Sequence, residues 1–436
     1  MNRIIVFSCL AFFFSCQRKT VAPINLHFIN EGNVLIHNAD GVVGPCEPSI
    51  CIDPSNLNRI VSGSILDNLY ISEDQGKTWE RKKLSSPYGV YGDPVVRISD
   101  SGTIYYAHLS NPTGRAYTDP EFLDRIVVQT STDHGSSWND GGFPNIRGEK
   151  DQDKQWMYID PATGKVIMTW TEFDKYGSED PADKSRILFS QSTDDGITWT
   201  TPISISSNEG NCIDSDQTTE GAVPAIDLDG NYHVVWSYDG KLYHNTSSDQ
   251  GLTWMKAERS IADHVGGWDH KIPGLMRANG MPILGIDNSS GPYRGRLYVN
   301  WTDQRNGVDD TDVWIISSDD QGKSWSSPKK VNDDISKRHQ FFTWMDIDPE
   351  TGYIYTVFYD RRETEKNLTD VYLAYSTDGG LSFTNKKISE SSFNPNPFIF
   401  FGDYNDISAH NGIIRPIWTR FEDNKLSVWT SLISMK

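Results

Sequence analysis

One eight-residue pattern, S-x-D-x-G-x-[ST]-[WF], occurs six times in this chain, at 72–79, 131–138, 192–199, 247–254, 318–325 and 376–383. Its central aspartates, Asp74, Asp133, Asp194, Asp249, Asp320 and Asp378, are spaced by 59, 61, 55, 71 and 58 residues. A repeat of this period means copies of one supersecondary unit, and its length suits a small four-stranded sheet with its connections. The pattern reads as a turn. An Asp carboxylate accepts backbone N–H bonds inside it, the glycine two positions on adopts positive φ, and the terminal aromatic buries against the sheet. The rival reading, a calcium loop of the D-x-D-x-G kind, lacks the downstream acidic ligand. No cofactor is expected, with structural calcium as the alternative, and no metal site is assigned.

A second repeat lies upstream of each box: a hydrophobic strand, a turn and another strand. It starts at residues 50, 95, 156, 223, 283, 344 and 404, as in WMYIDPATGKVIMTW and WMDIDPETGYIYTVF. Seven such hairpins stand against six boxes. The seventh is followed by KLSVWTSLI and no box, so its sheet needs a further strand, which INLHFINEGNVLIH (24–37) can supply. The reading is an all-β chain, a β-propeller of seven four-stranded blades whose N-terminal strand closes the last; six blades is the alternative. Closure of this kind removes open sheet edges. A ring of this size spans residues 17–436 as a single domain.

The first twenty residues, MNRIIVFSCLAFFFSCQRKT, read as an export signal with a positive start at Arg3 and an apolar run too short to span a bilayer. The run ends in Phe14-Ser15-Cys16, resembling a bacterial lipobox, so residues 1–16 are read as a lipoprotein signal with Cys16 as the lipidated residue. The chain is thus expected to be exported and lipid-anchored in the bacterial cell envelope, at the outer membrane on its periplasmic or surface side. It would touch membrane only through that anchor. The net charge of -19 repels phosphate backbones, which argues against a nucleic-acid partner. A monomer with a glycan or glycoconjugate partner is expected. Cys46, Cys51 and Cys212 match no metal spacing and receive no role.

Inner strands of a propeller begin at one face, and the boxes fall on the other. A site is therefore expected where the inner strands open, at Glu47, Asp93, Lys154, Glu220, Gln340, Asp403 and Tyr404. Second strands end in an aromatic series, Trp170, Trp236, Trp301, Phe358 and Trp418, read as inter-blade packing. Just after it stand Arg305, Arg362 and Arg420, able to clamp a carboxylate bidentately, or else to pair with their own blades' acids, such as Asp303 and Asp360.

The six boxes resemble the BNR or Asp-box repeats of sialidases and the wider sialidase-like propellers, over essentially all of the chain after the signal. GDPVVRISDSGTIYYAHL, GPYRGRLYVNWTDQRNGVDDTDVW and NPNPFIFFGDYNDISAHNGIIRPIWTR look like secreted bacterial proteins of exo-α-sialidase type. The resemblance implies a glycoside hydrolase acting on terminal or anionic sugars, with Tyr404 as nucleophile, Glu220 as its helper and Asp93 as acid/base. It also implies Arg305, Arg362, Arg420 and Asp403 as substrate-binding residues. The alternative is a non-catalytic propeller that binds glycan or protein. The chain departs from the family in lacking its Arg-Ile-Pro motif: the first repeat reads CEPSICIDPSN, and Lys271-Ile272-Pro273 is the nearest imitation.

Overall fold

The computed structural model describes residues 26–39 and 43–436; the segment read as an export signal and Cys16 lie outside the described residues. Each hairpin repeat becomes the inner half of one blade. The inner strands are Ser49–Ile52, Val95–Ile98, Asp151–Ile159, Glu220–Ile226, Ile283–Ile286, Gln340–Ile347 and Asp406–His410, in blades 1 to 7. Seven antiparallel sheets result, and the sheet of blade 7 has the order Phe28–Asn38, Lys425–Met435, Ile413–Glu422, Asp406–His410. The N-terminal strand thus closes the ring, pairing from Phe28 opposite Met435 to Asn38 opposite Ser427 with two register shifts, between Asn30 and Asn33 and between Leu35 and His37. Asn33 also clips it to blade 6, donating to the Ile388 carbonyl at 2.8 Å and accepting the Glu390 N–H at 2.9 Å.

Blade 2 departs from the four-stranded expectation. Its sheet has three strands, and the fourth shrinks to one bridge between Val128 and Gly142. The segment there reads NDGGFP, and Gly141 sits at φ 100°, so glycine and proline cannot sustain a ladder.

All six boxes make the same bonds. In the first, Asp74 Oδ1 accepts from Ser72 Oγ at 2.8 Å and the Thr78 N–H at 2.9 Å, and Oδ2 accepts from Thr78 Oγ1 at 2.7 Å. The boxes also touch the inner hairpin turns, as where the Gln75 N–H donates to the Asn58 carbonyl at 2.8 Å, which places both on one face, the box face. The aromatic series packs between blades: Trp236, Trp301, Phe358 and Trp418 are wholly buried. Near the axis, side chains join the inner strands of neighbouring blades. Asp406 accepts from Ser49 Oγ and the Ile50 N–H, both at 2.9 Å, and Asp346 accepts the Ala409 N–H at 2.8 Å. Among the described residues no helix is long and apolar enough to cross a membrane.

Candidate functional site

Opposite the box face, the openings of the inner strands converge on a largely buried charged cluster. Local backbone geometry puts the side chains there. Glu47, Asp93 and Lys154 all have positive φ, at 52°, 47° and 53°, and Gly221 and Phe342 open blades 4 and 6 in the same left-handed conformation at 74° and 49°. Register shifts accompany it in blades 3, 4 and 6, the mark of a β-bulge that re-aims side chains towards the axis. A left-handed conformation is costly for a residue with a Cβ, and such strain gathers at functional sites.

Six carboxyls, of Glu47, Asp93, Asp153, Asp214, Glu220 and Asp403, surround two cations. Lys154 Nζ stands 3.0 Å from Asp403 Oδ2 and 3.9 Å from Asp153 Oδ2. Arg277 holds Asp403 with a bidentate fork, its Nε at 2.8 Å from Oδ1, and reaches Asp214 Oδ2 with Nη1 at 3.0 Å. Two cations cannot neutralise six buried anions, so most of these acids keep protons. Burial, reinforced by Asp403, pushes Glu47 up to about 7. Burial, reinforced by Glu47, does the same for Asp93, and burial raises Asp153 to about 7. Asp93 keeps some surface, but its Oδ2 is sealed without a partner. Glu220 is wholly buried and neither of its oxygens finds a donor. Burial and the adjacent Asp214 carboxylate hold it protonated, while Asp214 itself, despite burial, is drawn down to about 2 by Lys154 and Arg277.

Tyr404 lies beneath this cluster, its hydroxyl unpartnered and its ring packed edge-on against Trp156 at 5.1 Å. Trp156 in turn meets Trp344 at 4.3 Å, so the three rings plug the axis. Burial first, then Asp93, Glu47 and Asp403, keep the phenol well above its usual range. Above the cluster the rim is aromatic. Tyr117, 72% exposed, hangs from the blade 2 insertion within electrostatic reach of Asp153 and Arg277, and the Phe400 ring lies 4.8 Å beneath the Arg277 guanidinium, near Phe398, 84% exposed.

The structure therefore brings together Asp93, Asp403 and Tyr404, and places Glu220 against Asp214. It does not bring in the three regular arginines. Arg305 Nε binds Asp303 at 2.9 Å, Arg362 Nε binds Asp360 at 2.8 Å, and Arg420 Nη2 lies 3.2 Å from Glu422. Each also stacks on an aromatic ring of its own blade's third strand, Trp314, Tyr372 and Trp429, which makes the motif a device of the blade surface. Lys271 points to solvent and pairs with Asp269 at 3.2 Å. Asp153, Asp214 and Arg277 escaped the sequence reading. Asp153 adjoins Lys154 and was in reach of it, but Asp214 and Arg277 sit in long connections with no repeat to mark them. Among the described residues no group of three or more His, Cys, Asp or Glu is arranged to hold a metal ion.

A seven-bladed ring with Asp-box turns and a charged axial mouth defines the chain as an Asp-box β-propeller of sialidase-like fold. The family model for the BNR/Asp-box repeat matches residues 70–81, and no curated protein matches in sequence. Among solved structures, a protein of unknown function from Dyadobacter fermentans is similar at TM-score 0.52 and 15% identity, over 94% of this chain and 99% of that one. An ulvan lyase of polysaccharide lyase family PL25 is similar at TM-score 0.54 and 12% identity, over 90% and 94%. The NanB sialidase of Streptococcus pneumoniae is similar at TM-score 0.50 and 11% identity, over 86% and 83%. At identities this low the likeness shows the fold alone.

Proposed function

We propose that the protein cleaves the glycosidic bond of a terminal or acidic sugar seated over the axial mouth, with Asp93 as proton donor. The support is the sharing of protons there: Asp93, raised to about 7, stands among carboxyls beside Asp403, which Lys154 and Arg277 both contact. A carboxyl held near 7 can both donate and regain its proton near neutral pH. Asp93 passes its proton to the departing oxygen as the anomeric C–O bond breaks. Tyr404, the nucleophile that the sialidase resemblance implies, bonds to the anomeric carbon and yields its proton to Glu47, whose carboxyl burial pushes up to about 7; water then releases the sugar. Arg277, its side chain 36% exposed, is the cation placed to meet an acidic sugar, and Tyr117 and Phe398 offer faces for sugar rings. Two structural neighbours, a sialidase and a polysaccharide lyase, act on carbohydrates by name. Export with a lipid anchor at Cys16 would place this chemistry in the cell envelope, and Cys16→Ala should release the protein from membranes.

The test is a screen of the purified protein against sialosides and uronic-acid glycans, read as released sugar. Asp93→Asn and Tyr404→Phe should each lower turnover by about 100-fold or more with binding retained. Full turnover in both variants would show the site to be misassigned. Saturable glycan binding with no released sugar would make the protein a binding propeller.

A further inference from the structure

Beneath the plug, the axis widens into a cavity of 290 Å³ that opens on the box face between turns carrying Pro54, Pro161 and Pro349. Trp156 and Trp344 line its inner end, and none of the mouth's charged residues reaches it. Strand alternation sets one side chain per blade into this space two residues beyond the plug. Four of these are polar, Arg97, Tyr158, Asp346 and Ser408, whereas Ala225 and Gly285 in blades 4 and 5 are small and leave the volume open. Most of the remaining wall is aliphatic.

The hydrogen-bonding capacity in the cavity is uneven. Asp346 is engaged by the N–H groups of Ile347 at 2.9 Å and Ala409 at 2.8 Å, and Asp406 by Ser49, Ile50 and Ile407. The Asn288 side-chain oxygen Oδ1 is buried and accepts from no donor. Arg97 is different. One nitrogen donates to the Val96 carbonyl at 2.7 Å, but its nearest carboxylate, Asp406, is 3.9 Å away and the side chain is 25% exposed. The Tyr158 oxygen accepts from Asn288 Nδ2 at 3.0 Å, which leaves its own proton to donate. Arg97 and Tyr158 are thus donors with capacity to spare, one of them charged, beside an unpartnered acceptor at Asn288 Oδ1.

We propose that this cavity is a second ligand site, separate from the axial mouth, that takes a small monocarboxylate with an aliphatic body. The carboxylate meets the Arg97 guanidinium and the Tyr158 hydroxyl, and the body lies along the apolar wall towards Trp156 and Trp344. The volume lies near the lower end of ligand pockets, about 300 Å³, and suits a guest of roughly ten heavy atoms. Asp346, which burial raises to about 7, keeps its proton in mildly acidic buffer and does not repel such a guest there.

The experiment is titration calorimetry of the full chain with octanoate and with octylammonium at mildly acidic pH. Octanoate should bind saturably with one site per chain, octylammonium should not, and Arg97→Met should weaken octanoate binding by at least about tenfold. Ala225→Phe should abolish it by filling the cavity; if that variant does not fold, Arg97→Met decides alone. The proposal is overturned if octanoate shows no saturable binding, if octylammonium binds as well, or if either folded variant binds octanoate like the parent. Sugar release at the mouth should be the same in Arg97→Met as in the parent, so this result stands apart from the proposed hydrolysis.

Discussion

Lys154 Nζ lies 3.0 Å from Asp403 Oδ2, and both side chains are 3% exposed. Blades 3 and 7 are thereby tied across the axis. Removing one partner of a buried pair strands the other charge, at a typical cost of 3–5 kcal/mol, roughly what truncating a core tryptophan costs. Lys154→Met should therefore lower stability by about 3–5 kcal/mol in denaturant titration. The double variant Lys154→Met, Asp403→Asn should recover part of that loss, because Asp403 then no longer adds a carboxylate to a cluster left with Arg277. Equal or greater loss in the double variant would show that the two side chains do not act as a pair.

The mouth should also make the protein less stable as pH rises. Asp93 goes from 3.8 in an ordinary setting to about 7 in the fold. Between these values the folded chain holds a proton that the unfolded chain has lost, so unfolding releases it and stability falls with increasing pH. The decline starts near pH 4 and ends near pH 7. Each unit is about 1.4 kcal/mol, which makes the single-site effect on the order of a few kcal/mol. Asp93→Asn should be more stable than the parent at pH 8 and should shallow the slope of Tm between pH 4 and 7. An unchanged slope would mean that Asp93 titrates normally.

The boxes act in the opposite sense. Asp133, Asp249 and Asp320 are drawn down to about 2 by hydrogen bonds from the Ser or Thr four residues on, first from its hydroxyl and then from its N–H. A depressed carboxyl contributes stability that is present above pH 4 and lost as pH falls towards 2. Asp320→Asn should flatten the acid limb of the Tm profile in that window and leave the slope between pH 4 and 7 unchanged. Loss confined to the higher window would contradict the turn role.

Closure by the N-terminal strand gives a test of the ring. Without residues 26–38 the strand Lys425–Met435 becomes an open edge eleven residues long. Such an edge pairs with other chains, so the truncated protein should melt roughly 10 °C lower or more and self-associate in size-exclusion chromatography. Asn33→Ala, which removes the side-chain bonds to Ile388, Glu390 and Ser431, should cost about 1–3 kcal/mol and leave a monodisperse protein. A truncated chain as stable as the parent would mean that the strand is dispensable.

The repeats were legible because their chemistry is local. Ser72, Asp74, Gly76 and Thr78 complete a box within eight residues, so spacing alone identified the turns and, with the hairpin count, the seven blades. The short outer segment of blade 2 was less legible, since glycine and proline at 141–144 erode a strand without erasing the repeat around it. At the mouth, the order of inner strands pointed to Glu47, Asp93, Lys154, Asp403 and Tyr404, yet nothing in the pattern showed that the first three adopt positive φ and turn inwards. The arginines show the converse. Arg305, Arg362 and Arg420 recur so regularly because they serve each blade alike, whereas Arg277, which reaches the cluster, occurs once.

The sequence by itself thus determined the units, their number and the way the ring closes, since hydrogen bonds within a turn and alternation along a strand need only near neighbours. Which charges meet at the axis was decided by the tertiary structure. Arg277 finds Asp403 across 126 residues, and that pairing, like the proton sharing of the carboxyls around it, exists only where ring closure removes water and lowers the local dielectric.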